Sequence, residues 1–512
     1  MVELLRMYNN RSVDMTDISK LQNGSDIRGI AIDGVPGEEV NLTRERAGQI
    51  TGAFCYWLSQ KVQKNPVMLN ICVGCDPRLS GPELKEGVME AIGLWGAHGS
   101  DAGIATTPAM FMSTVLPCFE FDGAIMITAS HLPYNRNGFK FFTAEGGLDK
   151  EDIAEILRLA GRYNFIGGAY DRDPVNVMPM YAAYLRQMIT QGLADVPGYL
   201  KGMHIVVDAG NGSAGFFATE VLEKLGADIS GSQFLEPDGS FPNHPANPED
   251  PDAMAAVCKA VKDNDADLGI IFDTDGDRSA AVAPGGEPIA RNEIVALAAA
   301  LAADDYPGGT VVTDSITSNE LHDFIEKKLG LKHYRYKRGY RNVIGKAREL
   351  SEQGENAFLA IETSGHAAYS DNYYLDDGAF LAVQIVINAA RLKHEGKDIT
   401  ALIKGLKKPL ESREVRLRIK AEDFASYGRG VLEDFEKWAD YSGGMELVRP
   451  NYEGVRVNFR KDGAEGWFLL RMSLHDPVMP LNIESGQEGG VDKALSAIRE
   501  FMKGYKEIEI PE

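Results

Sequence analysis

Short apolar runs at residues 70–73, 124–127, 204–207, 268–272, 310–313 and 358–361 alternate with helix-like stretches through most of this chain. A run of that length without polar alternation reads as a strand covered on both faces, and such strands separated by helices define a doubly wound α/β sheet. Asp76, Asp208, Asp273 and Asp314 stand at or just beyond the ends of several runs, where ligand sites of open α/β sheets gather. Their recurrence fits related α/β modules, although no fixed sequence period accompanies it. Helices are clearest over 178–191, 292–303 and 377–392. After Pro409 the pattern changes. A strand over 414–419 and a helix over 424–438 precede strand-like runs at 455–459, 467–471 and 479–483, then a helix over 491–502. Successive strands with short connections imply a largely antiparallel sheet, a different kind of module.

At 512 residues the chain exceeds what one core organises, so several domains are expected. Hydrophobic content of 44% and charged content of 25% are ordinary for a globular protein, and no apolar run reaches the length of a membrane span. A formal net charge of −22 argues against nucleic acid or an anionic membrane as the main partner. An acidic shell still leaves room for a locally basic cleft. The first twenty residues mix Glu3, Asp14 and Asp17 among short apolar pieces, unlike a secretory signal or transit peptide, so a cytoplasmic enzyme is expected. The cysteines number five, which fits no disulfide framework. Cys72 and Cys75 have redox-motif spacing, but no second pair completes a zinc site, and buried reduced thiols are the expectation.

Function enters with the segment Thr128-Ala129-Ser130-His131-Leu132-Pro133-Tyr134-Asn135-Arg136-Asn137-Gly138-Phe139-Lys140, which delivers a hydroxyl, an imidazole and an ammonium just beyond a buried strand. Ser130 reads as a nucleophile; the competing reading is a surface turn closed by its own hydroxyl. A second strand, ending at Phe272, runs into Asp273-Thr274-Asp275-Gly276-Asp277-Arg278. Carboxylates at alternate positions, bent by a glycine, repel one another unless a hard divalent cation sits between them. An EF-hand needs Gly at its sixth position and Glu at its twelfth, where this chain has Arg278 and Pro284. A haloacid-dehalogenase-type loop is also disfavoured, because Asp277 stands where that loop continues to Thr or Val.

In their joint order these segments resemble the α-D-phosphohexomutase family of phosphoglucomutases and phosphomannomutases. Ser25-Asp26-Ile27-Arg28-Gly29 is similar to the family's opening segment, and Val73-Gly74-Cys75-Asp76-Pro77-Arg78-Leu79-Ser80 to its next strand and turn. Tyr336-Lys337-Arg338-Gly339-Tyr340 resembles the segment that supplies a catalytic lysine. Glu362-Thr363-Ser364-Gly365-His366 resembles the sugar-binding loop, and Arg471-Met472-Ser473 the start of a C-terminal phosphate loop. The resemblance implies three related α/β modules with mixed, mainly parallel sheets plus a C-terminal α+β domain with a largely antiparallel sheet. Boundaries at 1–172, 173–300, 301–410 and 411–512 follow from where the patterns change.

The resemblance further implies that Ser130 carries a phosphate, passes it to a hexose phosphate and takes back the other phosphate of the resulting hexose 1,6-bisphosphate. Asp273, Asp275 and Asp277, with a phosphate oxygen on Ser130, would hold Mg2+, and Arg28, Lys140 and Arg278 would add positive charge. His131 suits either a proton shuttle or a neutral oriented ring. Lys337 is the stronger acid/base candidate. Glu362 and Ser364 suit two ring hydroxyls, with His366, Gly339 and Tyr340 beside them. Arg471 and Ser473 suit the non-transferring phosphate. The family's C-terminal loop runs Arg-x-Ser-Gly/Asn-Thr-Glu-Pro, whereas Leu474, His475 and Asp476 follow Ser473 here, so His475 stands where a hydroxyl is usual. A glucose or mannose phosphate is the first choice of substrate, with phosphoglucosamine or phospho-N-acetylglucosamine as alternatives. A retired phosphosugar-binding regulator is a reading from another class, though Ser130 and the three aspartates all remain.

One motif competes. Gly210-Asn211-Gly212-Ser213-Ala214-Gly215 follows a strand, opens an expected helix over 216–225 and fits a dinucleotide fingerprint. Asp208, two residues before the first glycine, would set a negative charge beside an anionic pyrophosphate. The glycines are therefore expected to serve a tight turn and close helix packing.

Overall fold

A computed structural model describes residues 18–162, 167–170, 173–461, 463–473 and 476–511. The chain divides into two compact units, one built from residues up to Ala290 with Ser364–Ala401, the other from Arg291–Thr363 with Leu402–Glu512.

Two sheets lie wholly within the first unit. In the larger, the strands Gly123–Ile127, Asn70–Cys75 and His98–Ile104 run parallel in that spatial order. Arg136–Thr143 and then Asp26–Ile30 extend the sheet antiparallel beyond Gly123–Ile127. Alternation assigns the faces: Ile125, Ile127, Phe139 and Phe141 enter a core with Ile50, Phe54, Leu58, Val88, Ile92 and Ile153 from the helices Arg44–Lys61, Gly81–Leu94 and Lys150–Ala160. Thr43 caps the first of these by accepting from the Arg46 amide, and Asp149 and Asp152 close a capping box on the third. The intervening Ala124 and Met126 are equally buried on the opposite face, which is why the run shows no polar alternation.

The smaller sheet pairs Ile205–Asp208 in parallel with Leu268–Phe272, which turns back antiparallel into Ser279–Ala283. Phe272 lies opposite Ser279, so the acidic segment 273–278 is the loop of a hairpin. Val206, Ile271 and Val282 pack on Val257 and Val261 of the helix Pro251–Asp263. The expected helix over 216–225 is a correction: Ser213–Gly215 and Glu223–Leu225 are single 3₁₀ turns around a wide π turn, Phe217–Leu222. Phe217, Ala218, Val221 and Leu222 are the buried residues of this turn. Helices Val177–Gly192 and Gly378–His394 match the positions expected for them.

In the second unit Lys332–Arg335, Thr310–Thr313 and Leu359–Ile361 are parallel, with Thr310–Thr313 in the middle. Its C-terminal sheet is antiparallel throughout, in the order Met445–Leu447, Val455–Lys461, Ala464–Leu470, Val478–Ser485, Glu411–Ile419 and Ile508–Glu509. Helices Phe424–Tyr441 and Gly490–Met502 contribute Val431, Phe435, Leu495 and Ile498 to a core with Val415, Leu417, Phe468 and Leu481. The mixed sheets and the antiparallel C-terminal module agree with the fold class expected, parallel pairing being concentrated at the sheet centres. Among the described residues no helix is long and apolar enough to cross a membrane. Cys55, Cys72 and Cys75 are buried free thiols, and burial pushes those of Cys72 and Cys75 up to about 12 and about 11.

Candidate active site

In the first unit, the strand Gly123–Ile127 feeds a loop in which Ser130 adopts φ 49°, a left-handed conformation costing a residue with a side chain roughly 1 kcal/mol or more. Neighbouring groups hold it there. The Ser130 amide donates to Thr128 Oγ1 at 2.9 Å, and that hydroxyl donates to Asp76 Oδ2 at 2.7 Å. Arg78, fully buried, donates to the carbonyls of Ser130, Leu132 (2.6 Å), Pro133 (2.7 Å) and Arg136 (3.1 Å), and its Nε lies 3.2 Å from Asp76 Oδ2. Arg28 donates to the Thr128 carbonyl and pairs with Asp26 at 2.8 Å.

The acidic hairpin loop meets this serine. Ser130 Oγ donates to Asp273 Oδ2 at 3.1 Å. Oxygens of Asp273, Asp275 and Asp277 lie within 4.8 Å of one another, and all three residues are buried. Lys140 arrives from the strand Arg136–Thr143; because Phe139 and Phe141 face the core, Lys140 faces the other side. Its Nζ donates to Asp275 Oδ2 at 3.1 Å and to Asp277 Oδ2. Arg278 Nε donates to Asp273 Oδ2 at 3.0 Å, and Thr107 Oγ1 donates to Asp275 Oδ2. Asp275 Oδ1 and Asp277 Oδ1 remain buried with no hydrogen-bond partner among the described residues. Two orphaned carboxylate oxygens in a buried site fit a hard divalent cation, which takes oxygen ligands of this kind. Burial, with the Asp277 charge beside it, pushes the Asp273 carboxyl up to about 8. For Asp277, burial opposes ionisation, but Lys140, His366 and Arg278 outweigh it and hold its carboxyl well below the usual range.

Two imidazoles flank the cluster in different surroundings. His131 is exposed by surface area, with Nδ1 3.3 Å from Ser130 Oγ; the desolvating surroundings, with Arg278 beside it, lower the ring from its usual value. His366 Nδ1 is 2.5 Å from Asp376 Oδ2 and 3.8 Å from Asp277 Oδ1; burial opposes its charge, but these carboxylates raise it to about 9. Gly365 sets its segment flush on the hairpin, since a Cβ there would lie 2.5 Å from the Ser279 carbonyl. Ser364 in the same segment is buried.

The competing glycine motif is explained within the same unit. The Ser213 amide donates to the Thr274 carbonyl at 2.8 Å, and a Cβ on Gly212 would come within 2.6 Å of that oxygen. A Cβ on Gly215 would lie 2.0 Å from the Leu235 carbonyl. Asp208 accepts from the Gly210 amide at 2.9 Å and from Gln233 at 2.7 Å, with His244 Nε2 at 3.1 Å. These glycines give up their side chains to the protein's own backbone, as the packing reading requires.

The second unit gathers a different set. Glu362 extends from the strand Leu359–Ile361, is buried, and accepts from the Gly339 amide at 2.6 Å. Gly339, at φ 108°, turns the chain into the helix Tyr340–Glu352. Lys337 is exposed, its Nζ 6.0 Å from the centre of the Tyr336 ring. Arg471 and Ser473 follow the strand Ala464–Leu470, their amides donating to the Pro480 and Val478 carbonyls. The Asp476 amide donates to Ser473 Oγ at 3.2 Å. Leu474 and His475 lie outside the described residues. Several contributors were assigned no role from the sequence: Arg78 and Asp76 behind the serine, though their segment resembles a family turn, Thr107 on Asp275, Asp376 on His366, and Glu453, which accepts from the Arg338 amide at 3.1 Å. Each acts across more than ten residues except Asp376, whose strand pairing with Ala368 sets it beside His366.

Models of the phosphoglucomutase/phosphomannomutase α/β/α domains I, II and III match residues 19–165, 182–286 and 290–409. A phosphomannomutase/phosphoglucomutase of Pseudomonas aeruginosa is 28% identical over 483 residues, covering 93% of this chain and 94% of that protein. A phosphoglucosamine mutase of Pediococcus pentosaceus is 28% identical over 434 residues, covering 82% and 90%. The crystal structure of a phosphoglucomutase/phosphomannomutase family protein from Burkholderia thailandensis matches with a TM-score of 0.75 at 26% identity, covering 96% of this chain and 99% of that one. The chain belongs to the phosphoglucomutase/phosphomannomutase family of α-D-phosphohexomutases.

Proposed function

We propose that the protein interconverts the 1- and 6-phosphates of glucose and mannose through phospho-Ser130 and a hexose 1,6-bisphosphate. Family membership carries the class of reaction, phosphoryl transfer that isomerises a hexose phosphate; the substrate and the residue roles are the proposal. The observation that carries it is the Ser130 hydroxyl 3.1 Å from Asp273, inside a buried group of carboxylates, Lys140 and Arg278. Asp273, Asp275 and Asp277, with a phosphate oxygen on Ser130, would hold Mg2+, which when bound neutralises charge on the transferring group.

In the forward step the bond from phosphorus to Ser130 Oγ breaks as a bond to the sugar hydroxyl oxygen forms, and the hydroxyl proton passes to Lys337. The intermediate reorients, Ser130 Oγ takes the other phosphate, and the proton returns to the newly freed sugar oxygen. Lys140 and Arg278 offset charge on the moving group, Arg28 holds the Thr128 carbonyl at the base of the loop, and neutral His131 orients the serine hydroxyl. Glu362, Ser364, His366, Gly339 and Tyr340 would bind the sugar, and Arg471 and Ser473 the phosphate that stays put. His475, replacing the usual hydroxyl, is assigned to that same phosphate. The modules bounded at 172, 300 and 410 would then contribute the serine, the metal ligands, the sugar loop and the phosphate loop in turn. A cytoplasmic location goes with this reading.

The 28% identity to a phosphoglucosamine mutase favours an amino-sugar phosphate as the second reading. A coupled assay with the 1-phosphates of glucose, mannose, glucosamine and N-acetylglucosamine, supplied with Mg2+ and catalytic hexose 1,6-bisphosphate, separates the two. Turnover of glucose or mannose 1-phosphate is expected to lead. Conversion of only the amino sugars would transfer the assignment to them, and turnover of none would leave the regulatory reading in possession.

A further inference from the structure

In the second unit the consecutive amides of Arg338 and Gly339 are each held by a carboxylate: Glu453 Oε2 accepts from Arg338 at 3.1 Å, and Glu362 Oε1 accepts from Gly339 at 2.6 Å. Glu362 belongs to the sugar-loop segment, whereas Glu453 precedes the C-terminal strand Val455–Lys461. Glu453 also accepts from Ser315 Oγ. The Asn451 side chain fixes the turn, donating to the Glu453 and Gly454 carbonyls at 3.0 and 2.8 Å. Gly454, at φ 59°, lies flat on the start of the phosphate loop: a Cβ there would be 2.1 Å from the Leu470 carbonyl and 2.8 Å from Arg471 Cα. The turn that carries Glu453 is thus packed against the backbone of Arg471, whose Nε is buried without a hydrogen-bond partner among the described residues; burial disfavours the guanidinium charge, and the Glu453 charge is the largest influence that favours it.

We infer that Glu453 is a positioning residue that joins the phosphate loop to the Lys337–Tyr340 turn and, through its charge, holds Arg471 against premature capture of anions. The inference rests on the mutase reading above. The two parts of the role separate by substitution. Glu453→Gln keeps an oxygen for the Arg338 amide but removes the negative charge, so a hexose phosphate meets Arg471 without a competitor. Glu453→Ala removes the acceptor as well, leaving the Arg338 amide without it and the Lys337 turn loosely held.

The test combines binding and kinetics. Calorimetric titration of glucose 1-phosphate, with Mg2+ present, into Ser130→Ala and Ser130→Ala/Glu453→Gln reads affinity without turnover. The second protein is expected to bind about fivefold more tightly at low salt, with the gain shrinking as ionic strength rises. With Ser130 intact, Glu453→Gln should lower KM and spare kcat, whereas Glu453→Ala should lower kcat about tenfold through the misplaced turn. Glu453→Asp, one methylene shorter, should recover part of that loss. Equal or weaker binding on charge removal, or equal kcat in Glu453→Gln and Glu453→Ala, overturns the inference while leaving the mutase reading intact. Failure of Ser130→Ala to bind any hexose phosphate overturns both.

Discussion

The serine and carboxylate cluster of the first unit and the group around Lys337, Glu362 and Arg471 in the second are built to different standards of constraint. Around Ser130 the carboxylates, Lys140 and Arg278 are buried, and Arg78 alone ties down four carbonyls of the loop. In the second unit Lys337 is exposed, Arg471 and Ser473 are half-buried, and Asp476 is exposed. Chemistry that must place phosphorus, oxygen and a cation within fractions of an ångström calls for the first kind of site. On the mechanism proposed above, recognition of an intermediate that presents either of its ends calls for the second, because one set of groups would accept two orientations of the same sugar.

The largest effect expected from breaking this contrast is at the serine. Ser130→Ala should lower turnover by about four orders of magnitude or more, since no other nucleophile is proposed. Intact-mass measurement after incubation with hexose bisphosphate should find one added phosphate on the wild type and none on the variant; substantial residual turnover would discard the phosphoserine. Next come the aspartates. Asn at position 273, 275 or 277 should cost about a hundredfold or more in rate, and full activity in excess chelator would remove the cation from the scheme.

A smaller loss is expected behind the loop. Arg78→Lys retains charge but cannot reach four carbonyls at once, and a slightly displaced Ser130 should reduce kcat about ten- to a hundredfold while KM moves little. If KM rises and kcat holds, the buried arginine serves folding alone.

The mildest prediction concerns stability of the second unit. Burial pushes the Glu484 carboxyl from 4.5 up to about 7, with the Trp467 indole at 2.9 Å and the Arg456 charge opposing and the Glu320 charge adding. An acid whose folded pKa is raised contributes stability that is complete below about pH 4.5 and disappears as pH climbs through about 7. Glu484→Gln should therefore gain on the wild type by about 2–3 kcal/mol between pH 5 and 8, read from denaturant unfolding at each pH. Parallel curves for the two proteins would show that Glu484 is not the group responsible.

How much of this was visible in the chain depends on the range of the interaction. Asp273, Asp275 and Asp277 declare themselves because carboxylates at alternate positions around a glycine have no local means of neutralisation. The strand ends at Ile127 and Phe272 are equally local, being set by uninterrupted apolar runs. Arg78 is different: its partners lie 52 to 58 residues away, and nothing near it in the chain says that it will serve carbonyls. The packing of Ser364–Ala401 with the first unit is likewise long range, and no linker composition announces it. The segment 216–225 is helical as expected, but its π and 3₁₀ winding could not be read, because buried residues at 217, 218, 221 and 222 also form one stripe of a regular α-helix.

The glycines at 212 and 215 carry a lesson for fingerprint searches. A nucleotide-binding loop and this loop both need missing side chains at similar spacing, one to admit a pyrophosphate and the other to admit Thr274 and Leu235 carbonyls. Counting glycines scores the two alike and produces a false positive. Building a methyl group at each glycine tells them apart, because the atom it strikes is either open space reserved for a ligand or the protein's own main chain.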